Sequence, residues 1–418
     1  MTQPPFVIVG ASLAGASAAQ ELRKQGFDGR IVLLGAEQHY PYSRPALSKG
    51  LLNGSEVLGS VWIEPESWYA DNGVEVRTGT TVEQLLPGDH TVVLAGGEAL
   101  PYEKLLLATG ARPRTLGLPG FDHPAIRYLR TIDDALMLKA MLSGGGKRLV
   151  IVGSGWIGLE LAAVARQLGN EVTVLDRNRI PLAAVLGERL GAVFAGMHLR
   201  HGVQIVPSVE VQELMSVGGG ITGVRYDGLV LPADIVVVGV GAQPNVELAQ
   251  EAGLRVDNGV LVDEYFHTSA ADITAAGDVA NVWHRAIGQR IRSEHWRNAI
   301  KTGEAAARSM LGIREPYAEV PYFYTDQFEI SMEYSGYGVL ASDADLVIRG
   351  DVEALKFIAF WVREGRVVAG MNVNVWEVNE EVQRLIRERL PVESAELRDA
   401  RVPLNELFQH GESSRWRT

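Results

Sequence analysis

The chain contains no cysteine in 418 residues. That one absence removes disulfides, thiolate nucleophiles, cysteine-ligated zinc and iron–sulfur clusters together, so any redox chemistry must run through a bound cofactor. Basic charge is also in short supply: 39 Lys and Arg stand against 51 Asp and Glu, for a net charge of −12. Nucleic acid and anionic membrane both need basic surface, so neither is expected as a partner. No apolar run reaches the roughly 20 residues of a membrane-spanning helix. Histidines are scattered, and the closest pair, His198 and His201, lacks the carboxylate pattern of a metalloprotease. No metal site is expected, and that pair reads as solvated or packed side chains. The opening MTQPPF lacks both the basic and apolar regions of a secretory leader and the arginine-rich character of a transit peptide, so a cytoplasmic location is expected.

What remains is the composition of a globular enzyme, 46% hydrophobic and 22% charged, on a length that asks for two or three domains. Its organising stretch runs from Lys147 to Asp176, KRLVIVGSGWIGLELAAVARQLGNEVTVLD. The apolar run Leu149 to Val152 predicts a strand. Gly153, Gly155 and Gly158 then form a full G-x-G-x-x-G, Leu159, Leu161, Ala162, Ala165 and Leu168 predict a buried helix face, and Asp176 closes a second strand. In such a unit Gly153 permits the tight turn, Gly155 lets backbone approach a pyrophosphate, and Gly158 lets helix and strand pack closely. The phosphates sit at the helix N-terminus, and Asp176 accepts from an adenosine ribose. An ordinary packing turn is the competing reading.

A second such unit opens the chain, from Phe6 to Glu37. Its turn, Gly10-Ala11-Ser12-Leu13-Ala14-Gly15, has Ser12 at the middle glycine position, and Glu37, next to Ala36, stands where the ribose ligand belongs. Two units imply two dinucleotides. The same turn approximates the G-x-S-x-G elbow of hydrolases, but it lacks the closing glycine and no Asp and His follow in order.

Between the units, prolines 41 and 45 hold HYPYSRPALSK extended and present Arg44 and Lys49, which read as solvated charges on sequence alone. Val74 to Val93 suggests a small β-insertion. Lys104 to Ala108 is a strand ending in the turn Ala108-Thr109-Gly110-Ala111-Arg112-Pro113, echoed later by Gly239-Val240-Gly241-Ala242-Gln243-Pro244-Asn245. A helical stretch is expected near 186 to 200, and DITAAGDVA as a strand ending on Gly277-Asp278, where an acid can bind a ligand hydroxyl or cap a helix. Residues 321 to 380 read as a small antiparallel sheet, followed by a helix from Glu380 to Leu390. The tail beyond Gly411 is expected to fray.

Taken together, GASLAG, RPALSK, ATGARP, YLRT, GSGWIGLE, GVGAQPN, GDVA, EHWRNA and YFYTDQ, in this order, resemble the NADH-dependent ferredoxin reductase family of oxygenase systems over nearly the whole chain. The resemblance implies an α/β fold with two Rossmann-like domains. An FAD domain at 1–110 and 240–320 is split by an NAD domain at 111–239, and an α+β domain follows at 321–418. It implies FAD and NADH as cofactors, a small two-iron ferredoxin as acceptor, a downstream oxygenase, and a monomer or weak dimer. By the same resemblance Ala14, Gly15, Arg44, Lys49, Val82, Ala108, Arg130, Asp278 and Trp296 contact FAD, with Thr109 and Gly110 beside Ala108, and Glu294 and His295 beside Trp296, in the same site. Gly155, Ile157, Gly158, Asp176 and Gly241 contact NADH. Glu160 pairs with Lys49, and the two are the catalytic residues. YFYT replaces a more tryptophan-rich version, while Arg177 and Arg179 could greet a 2′-phosphate that Asp176 would repel, which favours NADH. Arg285, Arg290, Arg292, Arg297, Lys301 and Arg308 cluster in sequence and could form a basic patch for an acidic ferredoxin, although a solvated face is the commoner reading of such a cluster. Two alternatives stand beside this reading: an NADH oxidase acting on oxygen, and a redox-sensing protein like apoptosis-inducing factor. Thiol-dependent relatives are excluded by the missing cysteine.

Overall fold

The structure is a computed structural model and describes residues 3–407. The expected fraying beyond Gly411 lies outside the described residues. The chain forms two compact units, the first from Met1–Ala46, Glu56–Pro113 and Ala242–Glu319, the second from Leu47–Ser55, Arg114–Gly241 and Val320–Thr418.

In the first unit, short runs such as FVIV and IVLL are apolar throughout, the pattern of strands covered on both faces. They build a five-stranded parallel sheet in the order Ile273–Ala275, Lys104–Leu107, Phe6–Val9, Ile31–Leu34, Val74–Arg77. Each fully buried Leu, Ile or Val contributes about 1.5–3 kcal/mol relative to exposure, so this sheet dominates the unit's stability. The chain leaves Phe6–Val9 and Lys104–Leu107, neighbours in the sheet, toward opposite sides; this switch point is where open α/β sheets take ligands. Helix Leu13–Lys24 covers one face and packs on helix Trp296–Met310 so closely that a Cβ on Gly303 would stand 2.3 Å from the Ala14 carbonyl oxygen.

Two expectations change in this unit. Val74–Arg77 is the edge strand of the parallel sheet, pairing with Ile31–Leu34, and only Val82–Leu86, Thr91–Leu94 and Ala99–Pro101 form the antiparallel insertion. Pairing partner, which four residues cannot encode, decided this. The strand in DITAAGDVA stops at Ala275; Gly277–Val279 is a single 3-10 turn and the chain resumes as strand Ala280–His284.

The second unit holds a four-stranded parallel sheet ordered Gln204–Val206, Glu171–Leu175, Arg148–Val152, Ile235–Val238, with helix Trp156–Gln167 as its crossover. It also holds a five-stranded antiparallel sheet, ordered Tyr322–Gln327, Ile330–Gly336, Arg366–Val373, Lys356–Arg363, Asp345–Asp351, and helix Asn379–Glu388. Helix Ala183–Arg200 joins them: Leu186, Leu190, Phe194 and Met197 share one hydrophobic cluster with Met332, Tyr334, Trp361 and Met371. Among the described residues no helix is long and apolar enough to cross a membrane, and no group of His, Asp and Glu could hold a metal ion.

Candidate functional site

Each unit builds its own glycine turn at the carboxyl end of its parallel sheet. In the first, Gly10 has φ of +120°, and a Cβ there would meet the Ala108 carbonyl oxygen at 2.0 Å, so only glycine closes the turn. A Cβ on Gly15 would stand 2.0 Å from the Gly10 carbonyl oxygen. Ser12 caps helix Leu13–Lys24 in extended conformation without a side-chain hydrogen bond to it, so its hydroxyl does not occupy the first-turn N–H groups, the end of a helix that attracts anions. Gly277, with φ of +74°, donates its N–H to Thr302 Oγ1, and a Cβ on it would lie 2.9 Å from the Ala14 Cβ. That contact sets the buried Asp278 beside the Gly10–Gly15 turn.

Glu37 does more than wait for a ribose. Its Oε1 accepts from Arg44 Nη2 at 2.7 Å and its Oε2 from the Tyr42 hydroxyl at 2.5 Å. Burial opposes the Arg44 charge, but Tyr42, Glu37 and Asp278 outweigh it and raise the guanidinium above its ordinary pKa, so a permanent cation sits among these acids. Ala36 is exposed beside Glu37, and Val82 packs against the unit's core. Ala108 is buried at the strand end. Thr109 Oγ1 donates to the Asn245 carbonyl at 2.8 Å, Asn245 Nδ2 returns to the Thr109 carbonyl at 2.7 Å, and the Gly110 carbonyl accepts the Asn245 N–H at 3.0 Å. The two echoing turns are thus bolted together by Asn245, a role the repeated sequence hinted at without naming the residue. His295 caps helix Trp296–Met310; burial pushes its pKa down to about 4, against the pull of Asp278. Trp296 is exposed, and Glu294 pairs with Arg292 at 2.6 Å.

In the second unit Gly153 has φ of +107°, a Cβ on Gly158 would stand 2.4 Å from the Gly153 carbonyl oxygen, and one on Gly155 would meet nothing within 4 Å. Gly155 therefore opens onto space at the N-terminus of helix Trp156–Gln167, the end of a helix that attracts anions. Ile157, in the first turn, is 48% exposed, and Gly241 has φ of +103°. Asp176 is buried and engaged by its own chain: Oδ2 accepts from Ser154 N at 2.6 Å and Ser154 Oγ at 2.5 Å, and Oδ1 from Asn178 N at 2.6 Å. The serine inside G-S-G is the signal that sequence reading passed over. Arg179 is held by Glu188 at 2.6 Å. The Arg130 N–H donates to Asp134 at the capping box of helix Ile132–Leu142.

Glu160 is the most concentrated polar site of this unit. It is 3% exposed, and its Oε1 accepts from Lys49 Nζ and Thr325 Oγ1, both at 2.5 Å, and its Oε2 from Ser48 Oγ at 2.5 Å. The Lys49 ammonium also lies 5.4 Å from the Tyr324 ring centroid, a cation–π contact. Lys49 is therefore a fixed cation, not the solvated charge that sequence alone suggested; Ser48 and Thr325 were missed because hydroxyls carry no pattern.

Four of the six residues named for a basic patch are engaged by the chain itself. Arg290 Nη1 donates to the carbonyls of Val262 and Asn281, Arg308 is tied to the buried Glu21 and to Glu315, Lys301 to Glu304, and Arg292 to Glu294. Acids within the run, Glu294 and Glu304, and acids outside it, Glu21 and Glu315, share in pairing these side chains.

Comparison with known proteins agrees with this geometry. A family model of pyridine nucleotide-disulphide oxidoreductases matches residues 4–303, and a reductase C-terminal model matches residues 322–408. The chain is 38% identical over 405 residues to the ferredoxin–NAD(+) reductase component of the anthranilate 1,2-dioxygenase system of Burkholderia cepacia, covering 97% of this chain and 99% of that one. It is 36% identical to putidaredoxin reductase of Pseudomonas putida, covering 96% of each. Among solved structures, putidaredoxin reductase in covalent complex with putidaredoxin superposes with a TM-score of 0.94 at 33% identity, covering 99% of this chain and all of that one. The chain belongs to the pyridine nucleotide-disulphide oxidoreductase family and, within it, to the FAD-dependent NADH:ferredoxin reductases of oxygenase systems.

Proposed function

We propose that this protein draws reducing equivalents from NADH and delivers them to a small two-iron ferredoxin feeding a haem-thiolate monooxygenase or a ring-hydroxylating dioxygenase in the cytoplasm. The observation that carries the reading is the Lys49–Glu160 pair in a chain without a thiol. FAD, when bound, accepts the hydride of NADH and passes its electrons on one at a time.

The residues divide the work. FAD would be held by residues 1–110 and 240–320: the Gly10–Gly15 turn would take its diphosphate, Glu37 with Arg44 its adenosine end, and Asp278 a ribityl hydroxyl, with Ala36, Val82, Ala108, Thr109, Gly110, Glu294, His295 and Trp296 completing the site; Arg130 lies outside those bounds, beside Asp134. NADH belongs to residues 111–239 with Gly241: Gly153, Gly155 and Gly158 take its diphosphate, Asp176 its ribose, and Ile157 its nicotinamide end. The buried Asp176 disfavours a 2′-phosphate, and Arg179 is already paired, which supports NADH over NADPH. Glu160 holds Lys49, whose ammonium would offset the negative charge that a bound flavin gains on accepting hydride. Tyr324 and Thr325, from residues 321–407, complete the surroundings of Lys49 and Glu160.

The test is NADH consumption by the purified, yellow protein with and without a panel of two-iron ferredoxins. Acceleration by a ferredoxin is expected. Equal turnover on oxygen alone would replace the reading with an NADH oxidase, and a slow reduction ending in a long-lived NAD complex with a change of oligomeric state would replace it with a redox sensor.

A further inference from the structure

Behind Glu160, Thr325 begins a line of buried polar groups whose further members the proposed chemistry does not use. Thr325 and Gln327, two apart on strand Tyr322–Gln327, face the same side and are each 1% exposed. Gln327 Nε2 donates to Thr325 Oγ1 at 3.0 Å, and His198 Nε2 lies 2.9 Å from Gln327 Oε1. His198 projects from helix Ala183–Arg200 and is fully buried. Its ring meets Phe328 edge-on at 5.2 Å, and the titratable groups near it are His201, on the same helix, and Glu329, from the turn after the strand. The expectation of a merely packed or solvated histidine does not explain the partner it has.

The donors and acceptors can be placed by elimination. With Glu160 accepting, the single hydroxyl proton of Thr325 points to Oε1. The Thr325 oxygen then takes the Gln327 amide N–H, which turns the Gln327 carbonyl oxygen toward His198. That oxygen needs a donor, so the ring carries its proton on Nε2. Nδ1 has no hydrogen-bond partner among the described residues, so a second proton there would be a buried donor without an acceptor. Burial holds the ring pKa below its ordinary value and His201 adds to this, against Gln327 and Glu329.

We propose that His198 is a positioning residue: through Gln327 and Thr325 it sets the direction of a one-way hydrogen-bond line that ends on Glu160 and thereby fixes the carboxylate that holds Lys49. The inference rests on the assignment of Lys49 and Glu160 to hydride transfer.

Gln327→Glu tests it with little change of shape, because an acceptor in place of the amide N–H draws the Thr325 proton away from Glu160. In the full-length flavoprotein mixed with NADH in a stopped-flow instrument, flavin reduction is expected to slow about tenfold, the size of one lost hydrogen bond to a charged group, with the Kd for NADH unchanged. His198→Leu should behave alike, and His198→Gln, which keeps an N–H donor, should recover most of the rate. Independently of turnover, 15N-histidine NMR of the unmodified chain without added cofactor should show His198 protonated on Nε2 and unresponsive through about pH 6 to 7, where free histidine titrates. A folded Gln327→Glu protein with normal flavin content and wild-type reduction rate overturns the proposal. So does a ring protonated on Nδ1 or titrating in that range. A wild-type protein whose flavin NADH does not reduce would instead sink the functional reading, while the tautomer measurement still decides the hydrogen-bond line.

Discussion

The two glycine turns use one backbone design and finish it differently. Both begin with a left-handed glycine, Gly10 or Gly153, and both pack a later glycine, Gly15 or Gly158, against the carbonyl of the first. They part at the middle position and at the acid. The first turn has Ser12 and an acid, Glu37, neutralised by Arg44; the second has Gly155, open to space, and an acid, Asp176, held by backbone N–H groups and a serine. Turn closure is thus a steric requirement common to both units, whereas the electrostatics at the far end are local and differ between them.

The comparison breaks most severely at the closing glycines. Gly15→Val is expected to abolish flavin retention, giving colourless protein, because its Cβ cannot coexist with the Gly10 carbonyl; Gly158→Val should leave the protein yellow yet unable to be reduced by NADH. Absorbance spectra of the purified variants separate the two. If both lost flavin equally, the division of labour between the turns would be wrong.

A smaller loss is expected at the charge pair. Lys49→Met should slow flavin reduction by NADH about 10²-fold or more, the scale of removing a preorganised charge from a reacting centre, with flavin content intact. Retention of the wild-type rate in stopped flow would exclude Lys49 from the chemistry.

The acids sharpen the contrast further. Asp176→Ala removes three hydrogen bonds to a carboxylate; the KM for NADH should rise about tenfold while the discrimination against NADPH narrows. Glu37→Ala should alter flavin affinity and leave the NADH/NADPH ratio alone. Steady-state kinetics with both coenzymes check the pair.

The mildest effect concerns pH. His198 and His295 both have folded-state pKa values below the unfolded histidine value of about 6.5, His295 at about 4. The unfolded chain therefore binds more protons in this range, so their contribution is complete above about pH 6.5 and is lost as pH falls toward the folded values. Tm of the flavin-free chain should drop between pH 7 and 4.5, and His295→Asn should flatten part of that slope. A pH-independent difference between variant and wild type would contradict the buried, neutral ring.

Much of this was legible in the chain. Three glycines, the apolar runs on either side and an acid about 20 residues on are local quantities, and they specify strand, turn and helix wherever they occur. The missing cysteine is as informative, because no fold can restore a thiol. The rest depended on what distant segments bring. Ser48, Thr325 and His198 are separated by more than a hundred residues, carry no shared pattern, and acquire meaning only when two helices and a strand converge on Glu160. Arg290 and Arg308 looked like a surface and became internal partners for the same reason. Backbone conformation is decided by near neighbours through sterics and by hydrophobic period, so sequence alone determined the two cradles. Hydrogen-bond direction and charge pairing act over a few ångströms in space regardless of separation along the chain, so only the tertiary structure decided which side chains stand around Lys49.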